Sequence, residues 1–313
     1  MSKQVSKRYS ILPIQHQDLW DIYKKVEDQF WTAKEIDISK DKYDTLTENE
    51  KIYLNNILAF FTISDGLVID NLALNFLREV EEEEARYFYG NQLVIEQVHA
   101  EMYSLFIESY IKDNKLKNGL FDAMNNNIAV SKKAAWAEKW IENPSFEKRL
   151  VAFACVEGLS FSSVFAGVFY FRSMSKPLYG LFDANELILR DETMHYRFAN
   201  YYYKNYVKNK LSDKQIQEII IDCAEVEKVF VNESIPNGLN GMTKQMMCSY
   251  VEFVADTILT DFGIPTFFGT NNPLDFMAKI GIKAKNNFFE RRIGEYSSIE
   301  IPNDSEKLFD ENF

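Results

Sequence analysis

The sequence predicts an all-α fold, a large helical bundle, and three observations carry that prediction. The 313 residues include only 12 Gly and 7 Pro, too few for a turn-rich β fold. Apolar residues recur at helical spacing behind recognisable N-terminal caps. No segment shows a convincing period-two alternation. Hydrophobic residues make up 46% of the chain, with 25 Phe and 17 Tyr, which is enough for one sizeable core.

Leu19 to Phe30 reads as the first helix, followed by a connector through Trp31, Thr32 and Glu35-Ile36-Asp37. Thr47-Glu-Asn-Glu50 is a capping box that opens a long helix running to about Leu77. The acidic run Glu79 to Glu84 opens the next helix, where negative charge suits the positive end of the dipole, and that helix continues to about Lys112. Asn114 to Gly119 reads as a loop, with one or two shorter helices after it up to Trp140. Asn143-Pro144-Ser145 breaks the pattern. Helices follow over Phe146 to about Phe171 and Pro177 to Lys204. Another starts at Ser212-Asp-Lys-Gln215, and Asn240 to Leu259 holds one more. From about Asn286 the periodicity dissolves into an acidic stretch that reads as a mobile tail. The expected organisation is one helical domain over residues 1–285 and a flexible C-terminal tail over 286–313.

Bulk properties exclude several functions. A net charge of −12 argues against nucleic-acid binding, which leaves a basic footprint. Cys155, Cys223 and Cys248 have no CxxC spacing, so neither a disulfide framework nor a zinc site is expected, and a reducing compartment fits. Met1 to Tyr9 is polar and basic without an apolar stretch behind it, so no signal peptide is expected. Ile57–Leu77 and Val151–Phe171 are about long enough to cross a bilayer. The first holds Asp65, Asp70, Asn71 and Asn75, and the second only Glu157. Helices buried on all sides in a large bundle are the expected reading, with no membrane partner. No GxGxxG or P-loop occurs.

The chemistry concentrates around the histidines. Of only three His, two follow a Glu by three residues, in Glu96-Gln-Val-His99 and Glu192-Thr-Met-His195. On a helix this spacing puts both side chains on one face. Each pair is preceded by an apolar helix carrying a carboxylate, Asp65 before the first and Glu157 before the second, with Asp70 as the rival to Asp65. An ionised carboxylate in an apolar helix is costly unless paired, and two divalent cations would supply the missing charge. This is the ligand set of carboxylate-bridged di-metal bundles, and hard carboxylates with two imidazoles suit iron or manganese better than zinc. Tyr103 stands one turn beyond His99 and faces the same way. Phe161, Phe165 and Ile188 fall on the metal-facing stripes and are expected to give it a dry sleeve.

At this point the chain resembles the small, radical-generating subunit of class I ribonucleotide reductase, in its eukaryotic and viral form. The resemblance runs from about Pro13 to the C-terminus. It is carried by PIQHQDLWDIYKKVEDQFWTAKEIDISKD, ISDGLVIDNL, FYGNQLVIEQVHAEMYSLFIESYIKD, VEGLSFSSVFAGVFYF, NELILRDETMHYRFA and RRIGEY, in that order. It implies a ferritin-like di-iron carboxylate bundle with extra helices. Asp65, Glu96 and His99 resemble the ligands of one iron, and Glu157, Glu192 and His195 those of the other, in an oxo-bridged pair. Manganese fits the same ligands, while the match to VHAEMYSL suggests the iron-using branch. Tyr103 matches the tyrosine oxidised to a stable radical. Trp31 and Asp191 match the radical-transfer path toward His99, and Tyr296 the tail tyrosine that relays to the large subunit. Lys307, Leu308, Phe309, Asp310, Glu311, Asn312 and Phe313 resemble the peptide that docks on that subunit. A cytoplasmic homodimer is implied, active in ribonucleoside-diphosphate reduction only with its large partner.

Two departures bear on docking. Asn312 replaces the acid of the usual terminal Asp-x-Phe, and Lys307 stands where an aromatic is expected. The metal ligands alone leave storage, desaturation and radical chemistry open. Desaturases and related oxidases would not need Trp31, Asp191 and Tyr296, ferritin chains are much shorter, and a subunit that had lost its metal would not keep six ligands and Tyr103.

Overall fold

The computed structural model describes residues 8–235 and 237–277. The expected domain boundary at 285/286, Tyr296 and the docking peptide 307–313 lie outside the described residues. Helices run α1 Gln17–Glu27, α2 Glu48–Asn71, α3 Leu77–Glu79, α4 Glu83–Tyr110, α5 Asn114–Phe121, α6 Ala123–Asn126, α7 Ile128–Ile141, α8 Phe146–Cys155, α9 Ser162–Ser173, α10 Tyr179–Asn205, α11 Asp213–Ser234 and α12 Lys244–Asp261. A π turn, Leu72–Phe76, joins α2 to α3, and a second, Val156–Ser160, stands between α8 and α9. Among the described residues the only β pairing is an isolated bridge between Leu239 and Met242.

The frame is four long helical pieces, α2, α4, α8–α9 and α10. Helix α2 packs along α4, α8 packs along α10, and α2–α9 and α4–α10 contacts close the square. Helices α7, α11 and α12 cover one side, with α11 seated on α7, α8 and α12. The expected capping boxes are present. Thr47 N–H donates to Glu50 Oε2 at 2.8 Å and Glu50 N–H to Thr47 Oγ1 at 3.4 Å. Ser212 and Gln215 do the same at the start of α11. Glu50 also pairs with Lys176 at 2.8 Å, fastening the start of α2 to the turn before α10. Two helical stretches, Glu48–Glu79 and Phe146–Ser173, are long and apolar enough to cross a membrane, and the apolar window of the second is 94% buried within the bundle.

Several boundaries differ from the sequence expectation, each for a local reason. Asn114–Gly119 is not a loop but the body of α5, because the Asp113 carboxylate accepts from Leu116 N–H at 2.7 Å and caps it. The acidic run is split: Glu79 closes α3, Val80 is extended, and only Glu83 and Glu84 sit in the first turn of α4. The helices expected over Thr47–Leu77 and Phe146–Phe171 each contain a π turn, which composition does not announce.

Helix α10 begins where the N-terminal connector crosses it. Asp41 caps it, accepting from Gly180 N–H at 2.8 Å and Leu181 N–H at 3.1 Å. A Cβ at residue 180 would meet Asp37 O at 2.8 Å and Ile38 Cα at 2.9 Å, both backbone atoms. Gly180→Ala should therefore cost about 1–3 kcal/mol, read as a lowered midpoint in denaturant unfolding; an unchanged midpoint would show that the connector yields freely.

Candidate metal centre

The two Glu-x-x-His pairs converge. Helix α4 supplies Glu96, His99 and Tyr103, and α10 supplies Asn185, Asp191, Glu192 and His195. Asp65 comes from α2 and Glu157 from the second π turn. All six predicted ligands are at most 3% exposed. Asp65 faces the cluster, whereas Asp70 is exposed, so burial decides between the two aspartates.

One arrangement was invisible in the sequence: Glu96 and Glu192 each span both imidazoles. His99 Nδ1 lies 3.3 Å from Glu96 Oε2 and 3.0 Å from Glu192 Oε1. His195 Nδ1 lies 3.0 Å from Glu96 Oε1 and 3.1 Å from Glu192 Oε2. Glu157 Oε2 stands 3.7 Å from His195 Nδ1, beyond hydrogen-bond reach, and its other oxygen accepts from Gln92 Nε2 at 3.1 Å. Glu157 Oε2 and Asp65 Oδ2 are buried without a hydrogen-bond donor. Glu96, Glu157, Glu192 and His195 bring ligand atoms within 4.8 Å of one another. Buried carboxylate lone pairs that lack donors, grouped with imidazole nitrogens, form a donor set fitted to divalent cations. A cavity of about 190 Å³, lined in part by Gly158, Tyr196, Tyr250 and Ile258, opens onto Glu157 and Glu192.

The protonation pattern shows the strain of this shared charge. Burial first, then Glu96, pushes the Asp65 carboxyl well above its usual range; burial and then Glu192 do the same to Glu157. Burial would depress both imidazoles, but hydrogen bonds to Asp191, Glu192 and Glu96 raise His99, and the adjoining Glu157, Glu192 and Glu96 carboxyls raise His195. Glu192 goes the other way: burial raises it, yet the adjoining Glu157 carboxyl and the two imidazoles hold it well below the carboxylate range.

Beside the cluster, Asp191 ties the site to the N-terminal connector. Its Oδ2 accepts from Trp31 Nε1 at 2.8 Å and faces His99 Nε2 at 3.2 Å. Its Oδ1 accepts from Arg190 at 2.9 Å. The Trp31 and His99 rings lie 6.0 Å apart. A carboxylate on the far nitrogen of a histidine fixes its tautomer and orientation. Tyr103 is fully buried, and its hydroxyl donates to Asn185 Oδ1 at 2.9 Å. The ring against it is Phe61, stacked at 4.0 Å; Phe161 and Phe165 pack behind Phe61 at 5.5 and 5.4 Å. Asn185 and Phe61 escaped sequence reasoning, although Phe61 sits four residues before Asp65 on the same helical face.

Helices that bury Glu-x-x-His pairs and two further carboxylates around one centre define a ferritin-like, metal-binding carboxylate bundle. A family model, ribonucleotide reductase, small chain, matches residues 8–273. The ribonucleoside-diphosphate reductase small chain of Plasmodium falciparum is 47% identical over 294 residues, spanning 93% of this chain and 84% of that one. The vaccinia virus small chain is 43% identical over 305 residues, 96% and 95% of the two chains. The structure of the ribonucleotide reductase Rnr4 homodimer from Saccharomyces cerevisiae superposes with a TM-score of 0.79 at 34% identity, covering 90% of each chain. The chain belongs to the ribonucleotide reductase small-chain family, and membership implies a large-subunit partner.

Metal binding must compete with protons here. Asp65, Glu157, His99 and His195 all hold protons to higher pH in the folded chain than in the unfolded one. Their contribution to stability is complete below the unfolded values, about 4 for the carboxyls and about 6.5 for the imidazoles, and is lost as pH rises through the raised folded values. A bound cation replaces those protons, so Mn(II) affinity should rise about tenfold per pH unit for each proton displaced between pH 6 and 8. Calorimetry in two buffers of different ionisation enthalpy measures the release; a pH-independent Kd would refute this account.

Proposed function

We propose that this chain generates and stores an oxidising equivalent on Tyr103 and passes it to the large subunit for ribonucleoside-diphosphate reduction. The observation that carries the reading is the seat of Tyr103: sealed from solvent, stacked on Phe61, and one helical turn from His99. Asp65, Glu96 and His99 would hold one iron and Glu157, Glu192 and His195 the other. The iron pair supplies the oxidising power by reducing O2. Iron is preferred to manganese on the resemblance of the VHAEMYSL stretch.

The chain's own residues do the rest. Burial first, then the Asp65, Glu192 and Glu96 carboxylates, push the Tyr103 hydroxyl well above its ordinary range, so this phenol stays protonated and must shed its proton with its electron. Asn185 Oδ1 holds the hydroxyl in place, and its Nδ2 is itself anchored on Leu181 O at 2.8 Å. The aromatic wall of Phe61, Phe161 and Phe165 excludes water and reductants. Trp31, Asp191 and His99 form a hydrogen-bonded line between the connector and the metal site, which suits electron transfer. Tyr296 and the peptide Lys307–Phe313 would carry the equivalent to the partner and dock on it, in a homodimer and in the cytoplasm, where the three free cysteines stay reduced.

Adding Fe(II) and O2 should give a tyrosyl signal by electron paramagnetic resonance. Tyr103→Phe should abolish the signal while iron stoichiometry stays unchanged; a persisting radical would move the assignment elsewhere. Removing the last seven residues should leave the radical intact and reduce turnover with the large subunit by more than about tenfold; unchanged turnover would refute the docking role.

A further inference from the structure

A buried ion pair lies behind the metal site and takes no part in ligation. Lys133 on α7 is 3% exposed and Glu227 on α11 is fully buried. Lys133 Nζ stands 2.7 Å from Glu227 Oε2 and donates to the backbone carbonyl of Ser160 at 2.6 Å. The ammonium lies over the rings of Phe60, at 3.4 Å, and Phe230, at 4.2 Å. The other oxygen of Glu227 accepts from Ser163 Oγ. Two charged groups from two outer helices thus grip the chain at Ser160 and Ser163. Ser160 ends the π turn that carries Glu157, and Ser163 lies in the first turn of α9.

We propose that Lys133 and Glu227 are positioning residues that clamp this π turn and thereby aim the Glu157 carboxylate at the metal site. The proposal rests on the reading of Glu157 as a metal ligand. Three features support it. Glu157 has little outside the cluster to aim its side chain: Gln92 holds one oxygen, and the other faces only Glu192 and His195, members of the same cluster. Its direction must therefore come from the backbone. A π turn breaks the regular helical ladder, and the donor that Lys133 delivers to Ser160 O fixes the carbonyl at its end. Finally, a buried ion pair contributes no more to stability, in general, than apolar side chains of the same volume. The core around Phe60 and Phe230 could have been closed without charges. The specific contribution of this pair is two directed contacts to the backbone and side chain of the segment next to Glu157. Outer partners that orient a ligand typically change metal affinity by about 10–100-fold when removed.

The test separates positioning from core stability, using Co(II) titrated into the metal-depleted full-length chain and followed by its visible absorption. Lys133→Met leaves Glu227 buried and unpaired, and should lower the melting temperature by about 10 °C. The double variant Lys133→Met/Glu227→Gln removes both charges and should recover most of that loss. If the pair is a clamp, the double variant still binds one Co(II) about tenfold more weakly, with an altered ligand-field spectrum. Wild-type affinity and spectrum in the thermally restored double variant would overturn the proposal and leave a plain core ion pair. Should the double variant fail to fold, Ser163→Ala cuts only the contact to Glu227. It should weaken Co(II) binding about threefold with the same spectral change, and wild-type behaviour there would overturn the clamp. Absence of Co(II) binding by the wild-type chain would overturn the metal reading of Glu157 and the clamp with it.

Discussion

Four carboxylates share one buried site, and the repulsion among them constrains everything built around them. At about 4 Å and an effective dielectric near 20, two like charges repel by about 4 kcal/mol. Asp65, Glu96, Glu157 and Glu192 make several such pairs, while only two imidazoles stand among them. Protons on Asp65 and Glu157 relieve part of the repulsion, and cations relieve it more completely. The two glutamates that reach both histidines hold the cluster together. A frame of four long helices is the price of such a centre, because only rigid elements packed on all sides keep like charges this close.

Much of this was legible in the chain, for identifiable reasons. Helices announce themselves by caps and apolar spacing, and the Thr47–Glu50 and Ser212–Gln215 boxes stand where the sequence places them. The i, i+3 spacing of Glu96–His99 and Glu192–His195 survives folding unchanged because it is local. What depends on distant partners was not legible. Asn185 meets Tyr103 across 82 positions, and Glu227 meets Ser163 across 64. Asp65 and Asp70 look alike in the sequence and are separated only by which side of α2 is covered. The π turns share the composition of the helices they interrupt, so no periodicity reveals them. The fate of Tyr296 and the terminal peptide lies outside the described residues.

The surroundings of Tyr103 show a division of labour between apolar and polar contacts. Phe61 covers the face of the ring, and Phe161 and Phe165 brace Phe61 rather than the tyrosine itself. A single amide, itself anchored one turn back on α10, meets the hydroxyl. The ring is thus held by packing and its oxygen by one directional bond. Phe60, the neighbour of Phe61, in turn lies beneath the Lys133 ammonium, so the apolar wall and the charged pair behind the site are parts of one packed layer.

The N-terminal connector is fastened to α10 at three places: Arg190 donates to Gln29 O at 2.8 Å, Trp31 to Asp191 at 2.8 Å, and Gly180 N–H to Asp41 at 2.8 Å. Close backbone packing at Gly180 seals the same seam. Ties spaced along the segment favour its opening as a unit, and its opening withdraws the indole from the carboxylate partner of His99. Because Asp191 rides on α10, such opening would cut the Trp31 contact and leave the outer support of His99 in place.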